Sequence, residues 1–247
     1  MFLNAGTTIY QLGTTFCDNC ARGGPAVRVS PGYNVNANIG GDDRRMIIPS
    51  AYVSYNRGDD GHSNSFSTGP DFTIKALSNL QLEIFGDWNK NNNDTQWLGN
   101  FKDAAGVTHY TFAHLEQETS SLGLRADYTA TPTLSFQLYA SPFVSRGKYS
   151  NARELSSDPR ASEYADRFKA YSPPASASES FDVKQLRSNS VLRWEFRPGS
   201  TLFAVWTHGR DGFDSKTNRS WPTEYKDLFD LHPTNTFLLK VAYWFGT

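Results

Sequence analysis

The sequence predicts an all-β fold, an antiparallel up-and-down membrane β-barrel of about ten strands. Three observations lead to this prediction. Apolar and polar residues alternate along most segments, tight turns alternate with long polar loops, and no uninterrupted apolar run reaches the roughly 18 residues that a spanning helix needs. A barrel does not need such runs, because only every second residue of a strand faces lipid.

The final segment, 235–246, shows the alternation most clearly. Successive side chains of a strand point to opposite faces, so odd-numbered residues share one side of it. That side is entirely apolar and is predicted to face lipid, with its aromatic rings near the headgroups. Its members are Phe237, Leu239, Val241, Tyr243 and Phe245.

Nine further segments have a strand-like pattern. Together with the last one they lie at 2–15, 26–38, 44–57, 64–77, 80–90, 108–129, 133–147, 183–197, 201–211 and 235–246. The same alternation predicts a lipid-facing side for Leu134, Phe136, Leu138, Leu192, Trp194 and Phe196. The opposite side carries charges of both signs, which we expect to point into the lumen and to pair across strands. They are Lys75, Glu83, Asp87, Arg125, Asp127, Arg193, Glu195 and Lys240.

The connections sort into two kinds. Tight turns at 77–79, 129–133 and 198–200 alternate with long loops, as in outer-membrane barrels. We therefore expect one β-barrel domain over residues 1–247, with extracellular loops near 91–106, 150–182 and 211–235 and the C-terminus in the periplasm. Within the second loop, Asp158-Pro159 could begin a short helix with Tyr164, Phe168 and Tyr171 on one side, the alternative being a locally ordered loop.

Composition narrows the possible partners and the context. The formal net charge of −1 argues against nucleic-acid binding. The first residues lack a basic segment followed by an apolar run, so they are not a secretory signal. An exported barrel needs one, and we therefore expect the chain to be the C-terminal part of a larger barrel. Cys17 and Cys20 are predicted to form a disulfide; a redox motif would need a βαβ context and a zinc site more ligands.

A calcium loop begins but is not completed. Asp87, Asn89 and Asn91 offer oxygen ligands on alternate residues. Asn92 then replaces the glycine of the sharp turn, and Leu98 replaces the bidentate glutamate. The segment is better interpreted as an Asn-rich hairpin loop, and no metal site is predicted.

Paired carboxylates are the remaining candidates for chemistry. Glu116 and Glu118 share one strand face and Glu83 and Asp87 another, and such pairs can hydrolyse glycosides. Carboxylates in a barrel lumen more often balance arginine and lysine, so we assign no catalytic residue and no cofactor. Three loop aromatics could stack on sugars, although membrane-interface girdles also require such rings. They are Trp97, Tyr110 and Trp221.

Several stretches together resemble a known family. They are Ala21–Pro25, Asp158–Ala161 leading to Tyr164–Phe168, Leu192–Phe203 with Trp206 and Gly209-Arg210, and the terminal Tyr243–Phe245. The chain resembles the C-terminal barrel region of bacterial outer-membrane proteins of unknown function whose N-terminal part is similar to a family-nine carbohydrate-binding module. The resemblance implies an outer-membrane location and upstream strands, a sugar-binding-like domain and a signal outside this chain.

These observations predict an outer-membrane scaffold or pore that serves an attached, glycan-binding upstream domain. Its expected partners are outer-membrane lipid, the barrel-assembly machinery and glycans. Two alternatives stay open. One is an outer-membrane hydrolase acting at the barrel mouth, and the other is a soluble all-β carbohydrate-binding module.

Overall fold

The computed structural model describes residues 1–175, 177 and 180–245. Within these residues, ten strands pair side by side in antiparallel order to form one large sheet, and the short β10 pairs beside β9. The ten strands are β1 Phe2–Tyr10, β4 Gly32–Gly40, β5 Ile47–Gly58, β6 Ser63–Leu77, β7 Leu80–Lys102, β8 Thr108–Thr131, β9 Leu134–Leu155, β11 Ser180–Arg197, β12 Ser200–Asp214 and β13 Thr234–Ala242. The remaining elements are β2 Thr15–Cys17, β3 Val27–Val29, β10 Phe168–Ala170 and the helix α1 Trp221–Asp230.

The order of the strands confirms the predicted all-β, up-and-down fold. Each long strand lies beside the long strands that precede and follow it in the chain, and β1 and β13 form the two edges. In the part of the chain that the structure describes, each edge strand has one partner, so the sheet is open rather than closed. None of the described helices is long and apolar enough to cross a bilayer.

Short turns lie at one end of the sheet, which we call the turn end, and long connections lie at the other, the loop end. Two-residue turns at 78–79, 132–133 and 198–199 join strands at the turn end. At the loop end the connections are 11–31, 59–62, 103–107, 156–179 and 215–233. The sequence-based sorting of the connections holds in part: the three two-residue turns share one end, but the turn-end connection 41–46 is longer than the loop-end connections 59–62 and 103–107.

The predicted loop at 91–106 is mostly strand. β7 continues to Lys102 and β8 begins at Thr108, so only 103–107 connects them. Polar side chains bond across this extension; the Asn91 amide, for example, donates to Gln117 Oε1 at 3.4 Å. An Asn-rich segment therefore forms strand here, because its neighbours satisfy its side chains as well as its backbone.

The other two predicted loops also contain secondary structure. In 150–182, β9 continues to Leu155 and β10 pairs with it, while the expected helix is reduced to a 3-10 turn at 165–167. In 211–235, β12 continues to Asp214 and α1 follows. The first predicted strand, 2–15, is divided into β1 and β2 because Gln11 and Gly13 have positive φ angles of 55° and 88°. The second, 26–38, is divided into β3 and β4.

The two sides of the sheet differ in exposure and in composition. In β5, the apolar Ile47, Ala51 and Val53 are exposed, whereas the alternating Ser50 and Ser54 are partly buried. We call the side of Val53 the outer face and the side of Ser54 the inner face. Cross-strand pairing carries this assignment over the whole sheet, because directly opposed residues share a face.

Aromatic rings on the inner face lie against glycines of the neighbouring strand. An added Cβ atom on any of these glycines would overlap the ring beside it. In every case the two residues are direct cross-strand partners, an arrangement that fills the gap left by the missing side chain. The pairs are Phe2–Gly40, Tyr10–Gly32, Tyr52–Gly69, Phe85–Gly123 and Phe181–Gly147.

A small core at the loop end holds the connections onto the long strands. It buries residues of the 11–31 and 156–179 connections against β8 and β9. Its members are Ala21, Val27, Phe112, Leu155, Tyr164 and Phe168. Arg167, only 3% exposed, fixes the two connections to each other by donating to the carbonyls of Ser162 and Arg28 and to Ser30 Oγ.

Replacing Arg167 with methionine should loosen this core. The change leaves several buried carbonyl oxygens without a donor, and we expect a loss of about 3 kcal/mol in the stability of the loop-end core. Limited proteolysis of the 156–167 segment measures the effect. The control is Arg160→Met, which removes an exposed guanidinium from the same connection; equal cleavage of the two variants would contradict the assignment.

Candidate functional site

The outer face carries a continuous apolar belt. Side chains from all ten strands contribute to it, and several are well exposed: Ile84 is 46%, Trp194 47% and Leu239 66% accessible. The residues predicted to face lipid lie on this face from Leu134 to Val241, while Tyr243 and Phe245 follow the end of β13. The belt is therefore a property of the sheet rather than of one strand.

Charged residues mark the upper border of the belt. On the outer face of β7, β8 and β9, the residues that precede the first charged residue toward the loop end are Trp88, Ser120 and Val144. The next outer residues are Lys90, Glu118 and Arg146, which are cross-strand neighbours. From the turn end to this border, the outer face of β7 (80–88), β8 (120–128) and β9 (134–144) contains no charged residue.

The inner face carries all eight charges that were predicted for the lumen. Arg125 pairs with Glu83 across β7 and β8 at 3.1 Å, and Arg193 lies 3.3 Å from Glu195 within β11. The Lys75 ammonium donates to the Asp43 carbonyl oxygen. Three others have uncharged neighbours: Tyr52 donates to Asp87, Gln137 donates to Asp127, and Lys240 lies opposite Phe203. The charges are concentrated toward the turn end.

Nearer the loop end, the inner face of β4 to β9 is lined by amides and hydroxyls. Asn34 donates to Asn56 Oδ1 at 2.9 Å, and Asn56 donates to Ser65 Oγ at 3.1 Å. Further along the sheet, Asn89 donates to Ser67 Oγ at 2.7 Å and Gln117 to Ser145 Oγ at 2.9 Å. We call this region the amide tier. On β4 to β9 the inner face thus has a charged part toward the turn end and a neutral part toward the loop end, whereas β11 and β12 carry the Arg187–Asp211 ion pair at 2.7 Å nearer the loop end.

A buried ion cluster anchors α1 on the outer face, just above the belt. The Lys184 ammonium lies 2.5 Å from Asp182 and 2.8 Å from Glu224, and the two carboxylate side chains are fully buried. Arg146 is 3.7 Å from Glu224 and also binds Glu118 at 2.7 Å. Burial and, secondarily, the nearby Glu224 carboxylate raise the pKa of Asp182, which lies on the loop side of the belt, to about 6.

Apolar contacts complete the docking of α1. Leu228 is fully buried against Val144 and Leu186, and the Tyr225 hydroxyl lies 2.8 Å from Ser120 Oγ. The Trp221 ring lies under the Arg146 guanidinium at 4.3 Å. The helix therefore covers the charged border at the height where the belt ends.

Asp94 is the second buried charge at the loop end. Its carboxylate accepts hydrogen bonds from Tyr164 Oη at 2.7 Å and Arg153 at 2.9 Å, and His114 lies 3.0 Å away. Burial alone would raise its pKa, but these partners outweigh burial and hold the pKa of Asp94 below its usual value. Burial, with the bond to Asp94, raises the pKa of Tyr164. The cluster joins β7, β8 and β9 to the 156–179 connection and has a structural role.

The remaining residues that the sequence suggested as candidates for chemistry contact other residues of the protein. Cys17 and Cys20 are joined by a disulfide at the β2–β3 hairpin. Asp87, Asn89 and Asn91 lie along the inner face of β7 rather than around a calcium loop or in a hairpin. Arg22 covers the Trp97 ring at 3.9 Å.

The other two loop aromatics and the outer-face carboxylates have protein neighbours as well. Tyr110 packs against the loop-end core beside Gly24. Trp221 lies under Arg146, as described above. Glu116 lies opposite Lys148, and Glu118 is paired with Arg146, so this carboxylate pair belongs to the charged border.

The sequence contained an indication of the ion cluster, but the alternating pattern alone could not identify the partner of its charged residues. Asp182 and Lys184 are in phase with Leu186 and Leu192, the apolar side of β11. Charges in phase with an apolar stripe need a partner from elsewhere. Their partner, Glu224, lies about 40 residues further along the chain on a helix that was predicted as loop.

An open antiparallel sheet with an uncharged apolar belt outside and polar residues inside has the build of a membrane β-barrel wall. The chain belongs to the family described as a domain of unknown function, DUF5916, which matches residues 19–246. No curated protein matches the chain significantly. Family membership agrees with the predicted resemblance to barrel proteins of unknown function, while the upstream sugar-binding-like domain stays a prediction.

Two solved structures are similar to this chain, and the first, with a TM-score above 0.5, shows an outer-membrane β-barrel fold. The copper transporter OprC is 11% identical with a TM-score of 0.54; the match covers 97% of this chain and 36% of OprC. The siderophore receptor PiuA from Acinetobacter baumannii is 9% identical with a TM-score of 0.46, and the match covers 97% of this chain and 44% of PiuA. The chain thus spans less than half of each of these proteins. At such low identity the likeness to OprC shows the fold alone.

The ion cluster predicts an asymmetric response to mutation. Lys184→Met leaves two buried carboxylates with only Arg146 nearby, and we expect α1 docking to weaken by about 3–5 kcal/mol. Asp182→Asn removes one of the competing carboxylates and should leave the helix docked. Hydrogen exchange of the α1 amides measures both changes, with at least a hundredfold loss of protection expected for Lys184→Met, since 1.4 kcal/mol is about tenfold.

Lys226→Met is the matched control, because Lys226 is exposed on the same helix. It should leave exchange in α1 unchanged. If Asp182→Asn loosened the helix more than Lys184→Met, the cluster would not act as the anchor.

Proposed function

We propose that this chain forms ten adjacent strands in the wall of an outer-membrane β-barrel, which acts as a scaffold or pore for an attached domain. The observation that carries the proposal is the apolar belt, which runs over all ten strands and has no charge below its border. A soluble sheet has no need of an uninterrupted exposed apolar surface of this extent, whereas a bilayer requires one.

The dimensions of the belt support a bilayer. On β7, β8 and β9 it is between about 9 and 11 residues long, which is the length that a tilted strand needs to cross the hydrocarbon core. The charged border and the aromatic rings of Trp88, Trp221 and Tyr225 then lie at headgroup height. The loop end lies outside the cell and the turn end in the periplasm, as in other barrels of this class.

The open edges support a barrel larger than this sheet. In hydrocarbon, each unpaired backbone group costs several kcal/mol, so β1 and β13 need further strands beside them. Ten strands closed on themselves would enclose little more than packed side chains, whereas a wider barrel holds water. We infer that additional strands complete the wall and that the inner face borders an aqueous space. We also expect β13, with its apolar stripe, to be the segment that the barrel-assembly machinery binds.

The alternative functions have less support. A hydrolase at the barrel mouth would need a free carboxylate pair, but Glu118 and Glu83 are held by arginines. A soluble carbohydrate-binding module would bury the side chains that form the belt. A sugar-binding domain attached upstream is compatible with the proposal and would be carried by the barrel.

Introducing a lysine on each face of the sheet tests the membrane assignment. Leu138→Lys places an ammonium at mid-belt on the outer face, and Gln137→Lys places the same group one residue away on the inner face beside Asp127. In a bilayer, the outer-face change should cost about 2–4 kcal/mol and the inner-face change much less. Urea titration of the protein folded into phosphatidylcholine vesicles measures both.

The opposite result is equally informative. If both lysine variants fold in buffer without lipid or detergent, and Leu138→Lys is as stable there as the unsubstituted chain, the belt does not face hydrocarbon. The soluble all-β reading would then replace the barrel.

A further inference from the structure

A cavity of about 300 Å³ lies where the amide tier meets the loop-end connections. It opens on the inner face between β5, β6 and β7, and residues 29–30 and the 59–62 turn lie along its upper rim. Its volume is at the lower end of the range of small-molecule sites, roughly 300–1,000 Å³. A site of this size suits a ligand no larger than one or two small rings.

Amides and hydroxyls dominate the wall of the cavity. Asn56, Ser65, Asn91 and Asn93 reach it from three adjacent strands, all on the inner face by register. They are held in place by each other and by the amide tier, as the Asn34–Asn56–Ser65 chain of hydrogen bonds shows. Side-chain amides and hydroxyls both donate and accept, so this wall matches groups that do the same.

The wall carries one charged group, and that group is already bonded. Asp59 Oδ2 accepts from Ser63 Oγ at 2.5 Å and from Thr95 Oγ1 at 2.9 Å. No lysine, arginine or histidine is among the lining residues. A larger cavity of about 440 Å³ nearer the turn end, by contrast, is lined by Asp71, Glu83 and Arg125 among others. The two cavities on one face therefore differ in charge, and the upper one favours an uncharged ligand.

An aromatic ring completes the wall. Tyr10 lies at the β1 side of the cavity, where Gly32 leaves room for its ring, and its hydroxyl donates to the Arg57 carbonyl oxygen at 3.3 Å. A fixed ring beside a neutral hydrogen-bonding wall offers one apolar surface and many polar partners. A pyranose has the matching combination of hydroxyl groups and an apolar ring face.

We infer that this cavity binds a neutral, polyhydroxylated ligand, a sugar residue. The inference rests on the proposed function only in that the cavity then faces the interior of the barrel, where a solute from the aqueous space can reach it. This site is formed by the strands of this chain and does not depend on an attached domain.

Binding of three closely related probes tests the inference. The full chain is folded in a detergent without a sugar headgroup, and saturation-transfer NMR is recorded with glucose, glucuronate and glucosamine, which share the pyranose ring and differ in charge. We expect transfer to glucose, with affinity for glucuronate and glucosamine at least fivefold weaker. Absence of transfer to glucose at tens of millimolar, or equal binding of all three probes, overturns the inference.

Two variants locate the site. Asn91→Asp replaces a donor with a charge in the cavity wall and should weaken glucose binding at least fivefold. Asn38→Asp makes the same change on the same face outside this cavity and should leave binding unchanged. Ser65→Ala serves as a second probe if Asn91→Asp does not fold, and it should also weaken binding. Equal effects of Asn91→Asp and Asn38→Asp, or no effect of any cavity variant, place the ligand elsewhere.

The outcome is separable from that of the barrel proposal. Insertion into vesicles without glucose binding leaves the barrel intact and removes the sugar site. Glucose binding by a chain that folds in buffer without lipid keeps the site and removes the barrel.

Discussion

Cross-strand backbone pairing is the constraint on which the rest of this molecule depends. The eight strands inside the sheet have a neighbour on both sides, so their N–H and C=O groups bond within the sheet and require nothing from the surroundings. One whole side of the sheet can then be apolar without leaving buried polar groups. In the two edge strands, β1 and β13, the backbone groups are paired on one side of the strand only.

The long strands divide into zones along their length. At the turn end, the outer face of the sheet carries the apolar belt and the inner face carries charged residues. Above it come the charged border with α1 outside and the amide tier inside, and above these the loop-end core. Each zone continues across neighbouring strands because register is maintained along their middle parts. The register shifts lie near the strand ends, either in the loop-end extension of β7 to β9 or beside the tight turns at Leu77, Thr131 and Arg197. The surface chemistry therefore changes with height rather than from strand to strand.

The sequence predicted what depends on alternation and turn chemistry. The two-residue period of 134–138, 192–196 and 237–241 placed those residues on one face, and the tight turns gave the order of the strands. Alternation could not show where β7 ends, because Asn91 and Asn93 have poor strand propensity and their cross-strand partners are distant in sequence. For the same reason it could not show the Lys184–Glu224 contact or the cavity, both of which are assembled from several elements.

Long-range contacts also explain why the aromatic candidates were misjudged. Trp97 and Tyr110 are in polar sequence, which suggested exposed loop rings. The Ala21–Pro25 segment, some 80 residues earlier, folds over them and takes up both rings. Composition of a segment indicates its exposure only when its contacts are local.

The glycine–aromatic pairs of the inner face limit which residues can stand beside these rings. Each ring lies where a Cβ atom of the neighbouring residue would otherwise be, which only a glycine permits. Phe85, Phe181 and Tyr52 thus fill the space that their partner glycines leave open on the sheet. A methyl group at Gly123 or Gly147 would displace the ring beside it, so the position of these rings is set by residues that have no side chain at all.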